Sequence, residues 1–193
     1  MNRFRCIAWL LAMLPALAGA QNMLVNGGFD ADLSGWDFPD ATPVWTSFDI
    51  ADAPDSGSAL ATNAATTPDS TVVVLRQCLP ITKAGLYTLR ASVFVPTGQV
   101  DGEAIASYGY GMSADCSTGF FGLGGFFMPS MGVWKTYDSG TKINVPSDLP
   151  VISMFIQVRL DKTPDAGVFE AYFDNVSLIY DGIFDDGFES PQP

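Results

Sequence analysis

Apolar and polar side chains alternate one by one along most of the chain beyond residue 20. Over 86–95, Tyr87, Leu89, Ala91, Val93 and Val95 share one face, while Thr88, Arg90 and Ser92 share the other. Over 151–160, Ile152, Met154, Ile156, Val158 and Leu160 point one way and Ser153, Gln157 and Arg159 the other. Period-two alternation marks a strand with one face in a core and one face outside it. Similar β-branched and aromatic stretches cover 71–79, 103–112, 133–145 and 168–180, with shorter ones at 36–38, 44–48 and 58–62. No ten-residue window carries apolar residues at i, i+3, i+4 and i+7, and Gly, Pro, Asp and Ser punctuate the gaps. The pattern predicts an all-β protein of about nine or ten strands joined by loops, an antiparallel sandwich or barrel.

One stretch obeys neither period. Residues 116–129 interleave Phe120, Phe121, Phe126 and Phe127 with Gly119, Gly122, Gly124 and Gly125. They are expected to form a loop, which either folds its Phe pairs over one end of the sandwich or exposes them to a partner or ligand. Tyr108 and Tyr110, just upstream, would extend either arrangement.

The first twenty residues read as an export signal. Arg3 and Arg5 open a basic segment, 7–17 is an apolar run too short to span a bilayer, and Ala18-Gly19-Ala20 is a small-residue cleavage site. Cleavage after Ala20 would start the mature chain at Gln21 and deliver it to the medium, the periplasm or the cell surface. No later apolar run reaches a membrane-spanning length, so no membrane span is expected. Cys6 leaves with the signal. The remaining pair, Cys78 and Cys116, most simply forms one disulfide in an oxidising compartment, closing a loop of about 38 residues. There is no C-x-x-C spacing to suggest a redox or metal thiol pair.

Composition narrows the chemistry further. The chain has 193 residues, enough for one domain, with 21 Asp+Glu against 9 Lys+Arg, no His and a formal net charge of −12. Without histidine there is no Ser-His-Asp or Cys-His nucleophile and no His-based metal site. The acidic balance argues against nucleic acid as partner, because phosphate binding rests on Lys and Arg.

Two motifs carry a resemblance. Near the expected mature start stand Leu24-Val25-Asn26-Gly27-Gly28-Phe29-Asp30 and Leu33-Ser34-Gly35-Trp36; near the end stands Tyr172-Phe173-Asp174-Asn175-Val176-Ser177-Leu178. Between them lie Ser56-Gly57-Ser58-Ala59-Leu60 and Val133-Trp134-Lys135-Thr136. Together they resemble the carbohydrate-binding modules attached to bacterial cellulases and xylanases, within the galactose-binding-like jelly-roll group. The likeness spans roughly residues 22–180. It implies a jelly-roll β-sandwich over 21–180, a glycan partner and a structural calcium joining the first strand to the last. Carried over, Gly28 would offer its carbonyl, Asp30 and Asp174 their carboxylates, and the turn before β-structure at Ser58 would add Asp55 and the Ser58 carbonyl. Such oxygens suit Ca²⁺. The family usually has Glu where this chain has Asp30. As plain turn residues, Asp30 and Asp174 would instead bond local amides.

The same resemblance places Trp36 and Trp134 where the family buries a tryptophan to close the sandwich. Trp45 reads equally as core or as a flat platform for a sugar ring. On the polar strand faces, Arg90 and Ser92 on one strand and Gln157 and Arg159 on another are candidates to line a glycan groove, or form an ordinary solvated face. A catalytic role is not expected: paired carboxylates hydrolyse glycosides without histidine, but 21 acidic residues make some pair inevitable. Polysaccharide lyases also use jelly rolls, and Gln157-Val158-Arg159 faintly echoes their groove strands. The competing class is a surface protein that uses the same sandwich for structure or adhesion. The acidic tail, 181–193, contains Phe184-Asp185-Asp186-Gly187-Phe188-Glu189. It resembles a short ending seen on many exported proteins of gammaproteobacteria, and otherwise reads as a solvated end.

Overall fold

Ten strands divide between two antiparallel sheets in a computed structural model that describes residues 21–53, 55–148 and 150–182. In chain order they are β1 (Val44–Thr46), β2 (Ser58–Asn63), β3 (Ser70–Pro80), β4 (Gly85–Phe94), β5 (Gly102–Gly111), β6 (Phe121–Phe127), β7 (Lys135–Asp138), β8 (Ile143–Val145), β9 (Ser153–Lys162) and β10 (Phe169–Gly182). One sheet runs β1-β2-β10-β4-β7, with β8 also on the outer edge of β4; the other runs β3-β9-β5-β6. Every pairing is antiparallel. No helix occurs among the described residues, so none is long and apolar enough to cross a membrane. The expected all-β sandwich is what forms. The expected leader, 1–20, and residues 183–193 of the tail lie outside the described residues.

The alternation in sequence becomes the two inner faces. Tyr87, Leu89, Ala91 and Val93 of β4 meet Ala171, Phe173, Val176 and Leu178 of β10 within one sheet. Met154, Ile156, Val158 and Leu160 of β9 pack on them from the other. Each large side chain buried here contributes roughly 1.5–3 kcal/mol. Trp36 is buried, as expected, with its Nε1 donating to Asn26 O at 3.1 Å. Ile152, expected inside, is exposed, because β9 begins only at Ser153.

The structure departs from the pattern in three places. Residues 36–38 form no strand, only an isolated bridge from Asp37 to Arg76. The stretch 133–145 breaks at a turn around Gly140 into β7 and β8, both along β4. The Phe/Gly segment is not a loop: 121–127 is an edge strand. Its glycines are what allow this, since a Cβ at Gly124 would stand 2.5 Å from the Tyr108 ring and one at Gly125 would stand 2.8 Å from Ser107 Cβ. Cys78 and Cys116 are bonded to each other, tying β3 to the turn that precedes β6.

The far end of β9 carries an unusual group. Lys162 is 1% exposed, and its ammonium donates to the carbonyls of Ala65 and, at 2.9 Å, Gly167. It thereby joins the 64–69 and 163–168 connections.

Candidate functional site

The outer face of the β3-β9-β5-β6 sheet is built in rows by its registers. Arg76, Gln157, Ser107 and Gly125 stand side by side across the four strands. The next row is Val73, Arg159, Ile105 and Phe127. On the other flank Phe155 and Leu123 lie over Gly109, where a Cβ would stand 2.4 Å from the Phe155 ring and 2.6 Å from Leu123 Cδ2. Phe120 meets Phe155 edge-on at 5.1 Å between ring centroids. The result is a groove of about 230 Å³ with a floor of small residues, apolar walls from Leu123 and Phe127, and Gln157 and Arg159 at one side.

The polar groups of this groove are under-committed. Arg159 Nη2 lies 3.4 Å from Asp161 Oδ2. Arg159 Nε and Ser107 Oγ are buried without a hydrogen-bond partner, as is Asp161 Oδ1 farther along β9, outside the groove. An unmet buried polar atom costs on the order of 1–3 kcal/mol, which sets the two groove atoms, Ser107 Oγ and Arg159 Nε, apart from the satisfied polar groups around them. A larger cavity, about 690 Å³, opens beyond Phe127 around Asp101, Glu103, Met131 and Lys135. Its lining includes Gln99, whose Oε1 already accepts from Glu170 N, and it gathers no comparable set of unmet groups.

The candidate ligand residues do not converge on one face. Gln157 and Arg159 line the groove, and Tyr108 reaches its rim beneath Gly124. Arg90 and Ser92 are on β4, in the opposite sheet; Arg90 is exposed there and Ser92 is buried, bonded to Thr136 Oγ1 at 2.8 Å. Two strands with the same alternation were expected to share a groove, but alternation gives a face, not a sheet. Tyr110 points inward, its hydroxyl donating to Asn144 O at 2.7 Å; burial, then Tyr108, pushes its pKa up to about 12. Trp45 is on β1, its Nε1 donating to Phe29 O at 2.7 Å and its indole covering Gly57. Trp134 is not core: it stacks with Phe48 and Phe94 outside β4. Arg76, Ile105 and Ser107 were not singled out from the sequence; Phe127 was, among the Phe pairs expected either to cover one end of the sandwich or to face a partner or ligand. Extending the alternation through 103–112 puts Ile105 and Ser107 on one face; Leu123 and Phe127 sat in the presumed loop.

A second cluster lies on the other sheet, where the 27–30 turn meets β10 through Val176 N donating to Gly27 O at 2.8 Å. Phe29 and Asn175 hold left-handed φ angles of 49° and 48°, a local cost for both. Asp174 is 1% exposed and accepts from Asn175 N at 2.6 Å and Ile50 N at 3.3 Å. Burial, with Asp49 and Asp30 adding repulsion, pushes its pKa up to about 6 despite those amides. Asp49 is 4% exposed, and neither of its oxygens has a partner. Asp30 is exposed; its Oδ1 lies 3.2 Å from a Cβ built on Gly28. Ser58 is buried, its hydroxyl spent on Phe48 O beside Asp49. Asp55 is exposed in the turn before β2. Among the described residues no group of three or more His, Cys, Asp or Glu side chains closes on a metal by itself. A hard cation here would rely on main-chain oxygens as well as on Asp49 and Asp174. The orphaned Asp49 carboxylate fits one, because a buried anion without a donor is otherwise costly. Nothing in the sequence motifs pointed to Asp49.

No protein-family model matches the chain, and no curated protein matches it. Solved structures do. TmCBM61, solved in complex with β-1,4-galactotriose, is 15% identical with a TM-score of 0.54, over 84% of this chain and 100% of that one. The family 11 carbohydrate-binding module of a cellulosomal cellulase of Clostridium thermocellum is 10% identical with a TM-score of 0.51, over 84% and 95%. The enzymatically active domain of tailspike protein 4 of bacteriophage CBA120 is 14% identical with a TM-score of 0.58, over 82% of this chain; the chain spans about a fifth (21%) of that protein's length. At these identities the likeness is one of fold, and the fold is the β-sandwich of carbohydrate-binding modules.

Proposed function

We propose that this chain is an exported, non-catalytic glycan-binding protein whose ligand lies in the groove on the outer face of β3-β9-β5-β6. The observation that carries the reading is the convergence there of two unmet polar atoms, Ser107 Oγ and Arg159 Nε, with exposed apolar walls. Sugars ask for that mixture: hydroxyls take hydrogen bonds from fixed polar groups while the ring's C–H face lies on apolar surface. The sandwich fold it has in common with TmCBM61 and the clostridial module supports the same reading. A glycan array of the purified chain tests it, with affinities of roughly 10⁻³–10⁻⁶ M expected. An array blank for every polysaccharide would sink the proposal.

Within this reading Asp49, Asp174 and the main chain around Gly28 hold a structural Ca²⁺, with Asp30 at its margin. The cation would neutralise two buried carboxylates and lock the 27–30 turn, the 46–57 connection and β10 together. The disulfide between Cys78 and Cys116 is in keeping with export.

A further inference from the structure

We propose that β6 is the interface between two copies of this chain, which pair edge to edge and antiparallel about a twofold axis at Gly125. Met128 N donates to Ala104 O at 2.9 Å. In an antiparallel ladder successive residues face the neighbour and face away in turn. The N–H and C=O groups of Gly125 and Phe127 therefore point away from β5, and Leu123 continues the exposed edge at the irregularity beyond Gly124. No described strand pairs with that edge. Leu123 is 74% exposed, Phe127 is 60% exposed and Gly125 is open as well.

The other edges are protected by familiar means. β1 and β8 are three residues long, and β7 carries Lys135 and Asp138. β3 is covered by the preceding segment, through Asp37 on Arg76 and Asp40 on Val73. β6 has seven residues, no Pro and no charge, and the chain has no charged residue from Ser117 to Trp134. Its register irregularity lies between Tyr108 and Tyr110 on β5 and between Phe121 and Gly124 on β6, which leaves 124–127 regular.

Two facts favour a second copy over a foreign strand. A chain of net charge −12 repels its own copies, and this uncharged strip is where two can meet without opposing like charges. The strip is also self-complementary. With Gly125 on its own symmetry mate, Leu123 faces Phe127 of the second copy and Phe127 faces Leu123. Gly125 then finds its backbone partner in its own mate, the two exposed apolar side chains cover each other, and glycine sits at the crowded centre. The four-stranded sheet becomes eight-stranded with both grooves on one face.

Light scattering and sedimentation of the purified chain, in the absence of any sugar, test this apart from the glycan reading. The wild-type chain should show twice its monomer mass. Leu123→Lys and Phe127→Lys should each return the monomer mass with the circular dichroism of the wild type, because both positions are exposed. The Leu123→Cys/Phe127→Cys double variant should oxidise to a covalent dimer, since only the Gly125-centred register sets these positions opposite each other. A wild-type monomer up to the solubility limit, or a dimer that survives both lysine variants, overturns the proposal. So does failure of the double cysteine to link. If the wild type is monomeric but the lysine variants lose glycan binding, the strip is a wall of the groove and nothing more.

Discussion

Arg159 leans along its own strand toward Asp161, Nη2 to Oδ2 3.4 Å, and leaves its Nε without a partner at the edge of the groove. Both side chains are about one-third exposed, so the pair itself contributes little to stability. Arg159→Ala should therefore weaken oligosaccharide binding by roughly 1–3 kcal/mol through loss of a charge-assisted donor, with little change in melting temperature. Arg90→Ala, on the opposite sheet, should leave binding unchanged. Isothermal titration of both variants alongside their melting curves checks the pair. Equal losses from both would place the ligand elsewhere.

Calcium should stabilise the chain, and chelation should reverse the effect. At a hundredfold excess over its dissociation constant a ligand adds about 2.7 kcal/mol, which for a chain of this size raises Tm by roughly 5–10 °C. Asp49→Asn should abolish the response, since Asp49 supplies a carboxylate that no donor satisfies. Differential scanning calorimetry with calcium or EDTA is the measurement; identical curves would leave the cluster a purely structural oddity.

Removing the disulfide should destabilise strongly. The bond spans a sequence separation of 38, for which loop-closure entropy gives about 4 kcal/mol. The Cys78→Ser/Cys116→Ser double variant should unfold at correspondingly lower denaturant with an unchanged fold at low temperature. A midpoint equal to that of the wild type would show that the 112–118 turn is held by its own hydrogen bonds.

Tyr110 should make the fold sensitive to alkali. Its pKa is raised from 10.0 to about 12 in the folded chain, so between those values the unfolded chain releases a proton that the folded chain keeps. Its contribution is thus fully present below pH 10 and is lost as pH rises through 12, up to about 2–3 kcal/mol. Tyr110→Phe should flatten that part of the stability–pH curve, at the cost of the hydrogen bond to Asn144. Urea midpoints measured from neutral pH into the alkaline range decide it.

The strands that build the core were legible because burial on one face writes itself into every second residue, as in β4 and β9. Which strands are neighbours was not legible, and this separated Arg90 from Arg159: pairing is decided by connections and packing that no local pattern records. β6 was hidden for a different reason. Glycine usually signals a turn, yet here Gly124 and Gly125 are dictated by the Tyr108 ring and Ser107 on the adjacent strand. Asp49 was hidden because its environment is assembled from 27–30, 46–57 and β10, three segments far apart in the chain. Trp134 was taken for core because the resemblance places it where the family buries a tryptophan, but it completes an outer cluster with Phe48 and Phe94.

Lys162 sets a different dependence at the far end of β9. A bound metal ion is held only while the medium supplies it, so its hold follows concentration. The Lys162 ammonium is tethered by its own side chain a few ångströms from the carbonyls of Ala65 and Gly167, and no chelator or dilution removes it. The 64–69 and 163–168 connections are thus joined by a cation that the chain itself supplies.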